Sequence, residues 1–363
     1  MPEFWKKLNL GSFIPLGPRD EYVAFDIGSS SIKMVEAAAD KNGYRLLNAG
    51  VLPLPPGAVQ NNMVVEGGTV VESMRRLIQE NGVKAKKVIS AVPGRAVIMK
   101  KFQLPMQQGE ELDTNVEFEA KQVIPESLEN VNLDYQVVNY LDGGNKIEVL
   151  MVAVRKEIVD SYTDIIEQAG LSPAIMDVDY FAMESMYEIN YTQNPGEAIG
   201  LIHIGARYTS MNVLSNGMST FTGDLPVGGE EFTDSLRREL QISSKAAENV
   251  KITGSLDGKK AADVAAIVRP TAENLAEEIR RTLSLYGAVA SEEGIRTIYV
   301  SGGSAKVPGL CGLLEERLGI PVRLAEPFRA FTVGKNIDSG YLAEAAPLFA
   351  VGAGLAIRRP GDK

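Results

Sequence analysis

Sulfur and imidazole chemistry is nearly absent from this chain, which carries one cysteine, Cys311, and one histidine, His203, in 363 residues. With no second cysteine an intrachain disulfide is excluded, which fits a reducing compartment. A catalytic thiol needs a nearby base, and His203 is the sole imidazole, so Cys311 reads as a small buried apolar residue. Basic residues are outnumbered, 37 against 47 acidic ones, and the net charge of −10 argues against a broad phosphate-backbone footprint. A nucleic acid is therefore not expected as a main partner. No uninterrupted apolar run reaches the roughly 18 residues of a membrane-spanning helix, and the N-terminus lacks the apolar core of a signal peptide. Neither a Walker A motif nor a protein-kinase catalytic loop occurs, so a bound phosphate would need another architecture.

What is present is ordinary globular material, 45% apolar and 23% charged. At roughly 100–200 residues per domain the length implies two or three lobes. Residues 1–20 differ in character: Phe4, Trp5 and Leu8 stand beside Lys6 and Lys7, ahead of a Gly/Pro-rich connector from Gly11 to Pro18. A flexible tail is the expectation, with an interfacial foot as the alternative.

Two apolar runs, Tyr22–Asp26 and Ile32–Ala37, flank Ile27-Gly28-Ser29-Ser30-Ser31 and predict a β-hairpin. A strand at 44–54, a helix at 69–81 and a short buried strand at 88–92 complete one α/β lobe. From Gly94 to about Asp177 the texture changes, with strands expected near 97–102, 135–140 and 147–154 and helices near 109–123 and 156–169. Asp142-Gly143-Gly144-Asn145 reads as a hairpin turn there. A helix at 180–191 returns the chain to the main body. The segment from Ala198 to Leu214 then repeats the chemistry of the first hairpin, with His203 lying 177 positions after Asp26. Self-similarity at that distance suggests a duplicated lobe. Helices at 229–240, 243–250 and 261–286 and a strand at 297–301 follow.

Three small-residue turns directly follow apolar strands: the turn after Asp26, the turn His203-Ile204-Gly205-Ala206-Arg207-Tyr208-Thr209, and Ser301-Gly302-Gly303-Ser304 running on to Gly309. Glycine and serine bring bare backbone N–H groups close to an anion, and serine adds hydroxyl donors. Each turn alone is weak evidence; the combination is specific.

That combination resembles the two phosphate loops and the adenosine loop of the actin, sugar-kinase and DnaK-type chaperone superfamily. An actin-like (ribonuclease H-like) duplicated two-lobe α/β fold is implied. The subdomain introduced by Val92-Pro93-Gly94 and Leu104-Pro105 resembles that of FtsA. The narrowest likeness is to the PilM family of actin-like type IV pilus assembly components, carried by Val23–Lys33, Glu119–Pro125, Val227–Thr233 and Ala346–Ala356. It implies a first lobe at 21–93 and 178–196, with a C-terminal helix at 341–358 packing back on it. It further implies an inserted FtsA-type subdomain at 94–177 and a second lobe at 197–340 with a helical subdomain at 240–290.

For the site, the resemblance implies ATP and Mg²⁺. Phosphates would lie against Asp26, Gly28, Ser29, Ser30, Ser31, Lys33, Gly205, Ala206 and Thr209. Asp26 would hold the metal through water, and Gly302, Gly303 and Ser304 would approach the adenosine. The superfamily also lines the adenosine pocket with acidic and basic residues of one helix, and Glu277, Arg280, Arg281 and Ser284 match those positions; a solvated helix face is an equal alternative. Relatives usually place an aspartate where this chain has His203, so binding without rapid hydrolysis is expected. A strand-end side chain with a local hydrogen bond is the other reading of His203. Family partners are the cytoplasmic N-terminal tail of PilN and further pilus assembly platform proteins, in a ring of copies. The expected place is cytoplasmic, at the inner face of the inner membrane, with peripheral membrane association through partners, in the service of twitching motility. An FtsA-like division polymer and a small-molecule kinase of the same fold are the alternatives. Against the first stands the ending Arg358–Lys363, where such relatives carry a membrane helix; against the second stands the lack of a convincing catalytic aspartate facing an acceptor.

Overall fold

A computed structural model describes residues 21–41, 43–256, 258, 261–289 and 294–362; the expected tail at 1–20, with Phe4 and Trp5, lies outside them. The chain opens with β1 (Tyr22–Ile27), β2 (Ser31–Asp40) and β3 (Gly43–Pro53), then a small hairpin of β4 (Val59–Gln60) and β5 (Met63–Val64). Next come α1 (Gly67–Glu80) and β6 (Lys87–Val92). β7 (Val97–Pro105), α2 (Glu110–Val123), β8 (Val131–Leu141) and β9 (Lys146–Arg155) follow, then α3 (Lys156–Gln168), β10 (Ser172–Val178) and α4 (Asp179–Asn190). The second half runs β11 (Ala198–Ile204), β12 (Thr209–Ser215), β13 (Met218–Leu225), α5 (Gly229–Leu240), α6 (Ser244–Thr253), α7 (Ala261–Val289) and β14 (Ile295–Ser301). It closes with α8 (Leu310–Leu318), β15 (Val322–Leu324), β16 (Phe331–Val333), α9 (Ser339–Ala345) and α10 (Ala350–Ile357).

Two sheets repeat one plan. In the six-stranded sheet, of order β10-β6-β1-β2-β3-β16, an antiparallel β1-β2-β3 meander is extended by parallel β6 and β10. In the five-stranded sheet, β13-β12-β11-β14-β15, the antiparallel β11-β12-β13 meander is extended by parallel β14 and β15. The register repeats too. Asp26 stands opposite Lys33 in the first sheet and His203 opposite Ser210 in the second. The duplicated actin-like architecture expected from the sequence is therefore present.

Burial explains the strand patterns. β2 buries six consecutive residues, Ile32 to Ala37, because helices cover both faces of its sheet. β9 instead alternates, burying Ile147, Val149, Met151 and Ala153, because its three-stranded sheet (β7-β9-β8) is covered by α2 on one side only. That sheet and α2 form the inserted unit, over Val97–Arg155. It is shorter than the 94–177 segment expected, because β10 pairs with β6 at the edge of the six-stranded sheet and α3 packs beneath it. Likewise β16 pairs with β3 of the first sheet, although it lies inside the expected second lobe at 197–340.

α10 is apolar almost all round, since seven of its eight residues are buried. It belongs to a core that draws Ala24 and Val35 from the first sheet and Leu201 and Leu214 from the second. By length and composition alone Ser339–Ile357 could cross a membrane, with mean hydropathy 1.4, although Glu344 and Pro347 interrupt the apolar run. Here 56% of it is buried inside the protein.

Candidate functional site

β1 and β11 end side by side in function, each running into a glycine turn at the carboxyl end of a sheet, the place where open α/β sheets leave ligand crevices. In the first turn the Gly28 N–H donates to the Ser31 carbonyl at 3.0 Å; in the second the Gly205 N–H donates to the Tyr208 carbonyl at 3.0 Å. A side chain at Gly205 would bring a Cβ to 2.9 Å from the Tyr208 oxygen, and one at Gly28 to 3.2 Å from the Ser31 oxygen. Both turns are thus closed tightly by their own backbone, which is why glycine occupies them.

The two turns face one cleft of about 160 Å³ between the lobes. Asp26, Gly28, Ser29, Ser30, Lys33, His203, Gly205 and Ala206 line it, bringing together most of the phosphate-site residues expected from the sequence. Typical small-molecule pockets are roughly 300–1,000 Å³, so the cleft in this setting has room for a phosphate chain rather than a whole nucleotide. Ser31 and Thr209 are not on its wall; Thr209 is fully buried and its hydroxyl donates to the Val227 carbonyl at 2.7 Å.

Charge in the cleft is arranged around Asp26. Lys33 Nζ lies 3.2 Å from Asp26 Oδ2, with side chains only 10% and 14% exposed. The contact has ionic distance without hydrogen-bond geometry, so Asp26 Oδ2 stays buried without a hydrogen-bond donor. His203, half-buried beside it, places Nδ1 3.0 Å from Ser301 Oγ. Desolvation pushes its pKa down to about 4, the Asp26 charge opposing and Lys33 reinforcing the shift, so the ring is neutral near pH 7.

Four cleft residues escaped the sequence reading. Asp179, the first residue of α4, accepts the Gly94 N–H at 2.8 Å. Desolvation pushes its carboxyl up to about 7, helped by the negative charges of Asp224 and Asp26 against the lowering effect of the Gly94 bond. Tyr162, from α3, is fully buried, and its hydroxyl on the cleft wall has no hydrogen-bond partner among the described residues. Arg95 and Tyr208 meet across the mouth, with the guanidinium carbon 3.4 Å from the ring centroid. No local pattern marks Asp179, because the strand before it, Ser-Pro-Ala-Ile-Met-Asp-Val, has no apolar period; all four depend on tertiary placement.

The third turn lies behind the second. Gly302 adopts φ +94, and a Cβ there would sit 2.4 Å from the Ile204 oxygen. The Ser304 N–H reaches the Ile204 carbonyl at 3.5 Å, and Gly229, which opens α5, packs against Ser304. Gly302, Gly303 and Ser304 thus adjoin the Gly205 turn without lining the cleft. Glu277, Arg280, Arg281 and Ser284 are exposed on α7, where Arg280 pairs with Glu277 at 2.6 Å, and none of the four lines the cleft.

These residues fit an anion chain with a cation held at a distance. Among the described residues no cluster of three or more His, Cys, Asp or Glu could ligate a metal directly. A divalent cation in this cleft would meet few protein oxygens, Asp26 among them, and would keep most of its water shell.

Comparison with known proteins supplies the family context. The family profile described as type IV pilus assembly protein PilM matches residues 24–360. Cell division protein FtsA of Bacillus subtilis is 23% identical over 352 residues, covering 84% of this chain and 78% of that protein. Among solved structures, the PilM-PilN type IV pilus biogenesis complex is 29% identical with a TM-score of 0.82, covering 94% of this chain and 99% of that one. Ethanolamine utilization protein EutJ from Carboxydothermus hydrogenoformans shares the fold at TM-score 0.58, 17% identity and 94% and 91% coverage. MreB5 of Spiroplasma citri bound to ADP shares it at 0.51, 12% identity and 93% and 96% coverage.

Proposed function

The chain belongs to the PilM family of type IV pilus assembly proteins, and from that premise we propose that it is an ATP-binding scaffold. Its partner in this reading is the cytoplasmic N-terminal tail of PilN, seated between the first lobe and the β7-β9 unit. The protein then works at the inner face of the inner membrane as one component, and one subunit of a ring, within the platform that builds the pilus for twitching motility. The observation that carries the reading is the likeness to the PilM-PilN complex, 29% identical over 94% of the chain at TM-score 0.82.

The nucleotide part of the reading rests on the cleft. Backbone N–H groups of the Gly28 and Gly205 turns, with the Ser29 and Ser30 hydroxyls, receive the phosphates. Lys33 adds positive charge beside Gly28, where its Nζ already lies. Mg²⁺ bound through water at Asp26 would screen the charge of the phosphate chain. The adenosine would extend toward Gly302 and Gly303, whose backbone is bare.

Hydrolysis needs an oriented water as well as bound phosphates, and here the second turn opens on a neutral imidazole already engaged with Ser301. His203 offers no negative charge to a water or to a metal's hydration shell. ATP is therefore an ordering ligand with slow turnover in this proposal. Mixing the protein with a synthetic peptide of PilN's cytoplasmic tail, with and without Mg-ATP, tests the reading. Saturable binding that Mg-ATP strengthens is expected, and no binding under either condition would refute the scaffold role.

A further inference from the structure

Arg95 is a cation of the cleft wall that the phosphate-loop pattern leaves unassigned. It sits in the turn Gly94–Ala96, where the chain leaves β6 of the six-stranded sheet for β7 of the inserted unit. The turn is pinned from two sides. The Gly94 N–H is held by Asp179 at 2.8 Å, and Gly94 lies so flat on Tyr180 that an added Cβ would come within 2.1 Å of its ring. The backbone of Arg95 is thus fixed while its side chain reaches over the cleft mouth.

Cationic side chains on the cleft wall number three, and two are occupied. Lys33 is paired with Asp26 at 3.2 Å. Arg207 lies 3.6 Å from Glu230 and donates to the Val59 carbonyl at 3.4 Å. Arg95 instead lays its guanidinium on the face of Tyr208, and its charge offsets part of the upward push that burial gives the Asp224 carboxyl. Stacking uses the flat face of the group and leaves its five in-plane N–H donors, whose fork geometry matches phosphate oxygens, unspent. Tyr208 in turn belongs to the phosphate turn itself, since its carbonyl closes the Gly205 N–H.

We propose that Arg95 binds the terminal phosphate of a nucleoside triphosphate in the interlobe cleft, held in place by the Tyr208 ring. The inference rests on the nucleotide reading given above and adds to it discrimination between triphosphate and diphosphate. A diphosphate leaves the guanidinium on Tyr208 and in the field of Asp224; a triphosphate bridges it to the Gly205 turn.

The test measures dissociation constants of the full chain for Mg-ADP and for Mg²⁺ with the β,γ-imido analogue of ATP, by isothermal titration calorimetry. Wild type, Arg95→Gln and Arg95→Lys are compared, with melting temperatures to confirm that this exposed position leaves the fold intact. Arg95→Gln is expected to weaken the triphosphate analogue about tenfold while changing ADP less than about twofold, with Arg95→Lys in between. Equal effects on both nucleotides, or no effect on either, would overturn the assignment while leaving the nucleotide site standing. A wild type that binds neither nucleotide would overturn the site and Arg95's role together.

Discussion

His203 Nδ1 and Ser301 Oγ approach to 3.0 Å across the junction of β11 and β14, so the imidazole at the head of the second glycine turn is tied to the neighbouring strand. The bond is local and the ring neutral, which matches the strand-end reading of this histidine as well as a brake on turnover. His203→Asp separates the two. If the missing carboxylate limits water activation, the variant should release phosphate about tenfold faster or more, with ATP affinity nearly unchanged. Steady-state phosphate release beside nucleotide titration checks this, and rapid hydrolysis by the wild type would rule it out.

Asp179 gives the pH dependence of stability a defined sign. Its carboxyl is lifted from 3.8 to about 7 by desolvation, so across that window the folded protein binds more protons than the unfolded chain. Its contribution to stability therefore falls as pH rises through the window. His203, lowered from 6.5 to about 4, acts oppositely: the unfolded chain binds more protons there, and stability rises with pH. Asp179→Asn keeps an acceptor for the Gly94 N–H and removes the first effect alone. Urea midpoints should show the variant gaining on wild type between about pH 4 and about pH 8; a constant difference would contradict the shift.

Two adjacent glycines in the third turn are expected to behave differently. Gly302 has φ +94 and a carbonyl 2.4 Å from where a Cβ would stand, so Gly302→Ala should cost about 2 kcal/mol or more. Around Gly303 nothing lies within 4 Å of an added Cβ. Gly303→Asp should therefore fold normally yet lose the stabilisation by Mg-ATP, which for a bound ligand at 100 times its dissociation constant is about 2.7 kcal/mol. Thermal scans with and without Mg-ATP read both, and an undiminished shift in Gly303→Asp would place the adenosine elsewhere.

Lys33 and Asp26 are the buried charge pair of the cleft. Lys33→Met strips Asp26 of its counter-charge and should destabilise the protein by about 3 kcal/mol, whereas Lys33→Met with Asp26→Asn should recover most of the loss. Denaturant titration of the two variants decides between a costly uncompensated charge and a pair of little consequence.

Much of this was legible before any fold was known, and the reason is local. Apolar strands punctuated by glycine and serine mark the turns after Asp26 and His203, and their recurrence marks the duplication. Other features are not local. β10 reads Ser-Pro-Ala-Ile-Met-Asp-Val, with a proline and two polar residues, and becomes a strand only because β6 offers it an edge. β15 and β16 are three residues long and expose two of them each, leaving no period to detect. Glu277 and Arg280, one helical turn apart, have the same spacing whether they face a nucleotide or water, and in this structure they face water and each other. Arg95 carries no motif, and although Tyr208 stands in the second small-residue turn, 113 positions of chain separate the two halves of their contact.

The crossing of α4 and α10 has a further consequence. At Gly354 an added Cβ would come within 1.7 Å of the Ala182 carbonyl, so the two helices touch backbone to backbone. Around that crossing one continuous core takes residues from both sheets. Neither half can be excised without stripping the other of part of its interior. The cleft lies against this same core, since Val351 of α10 lines its wall.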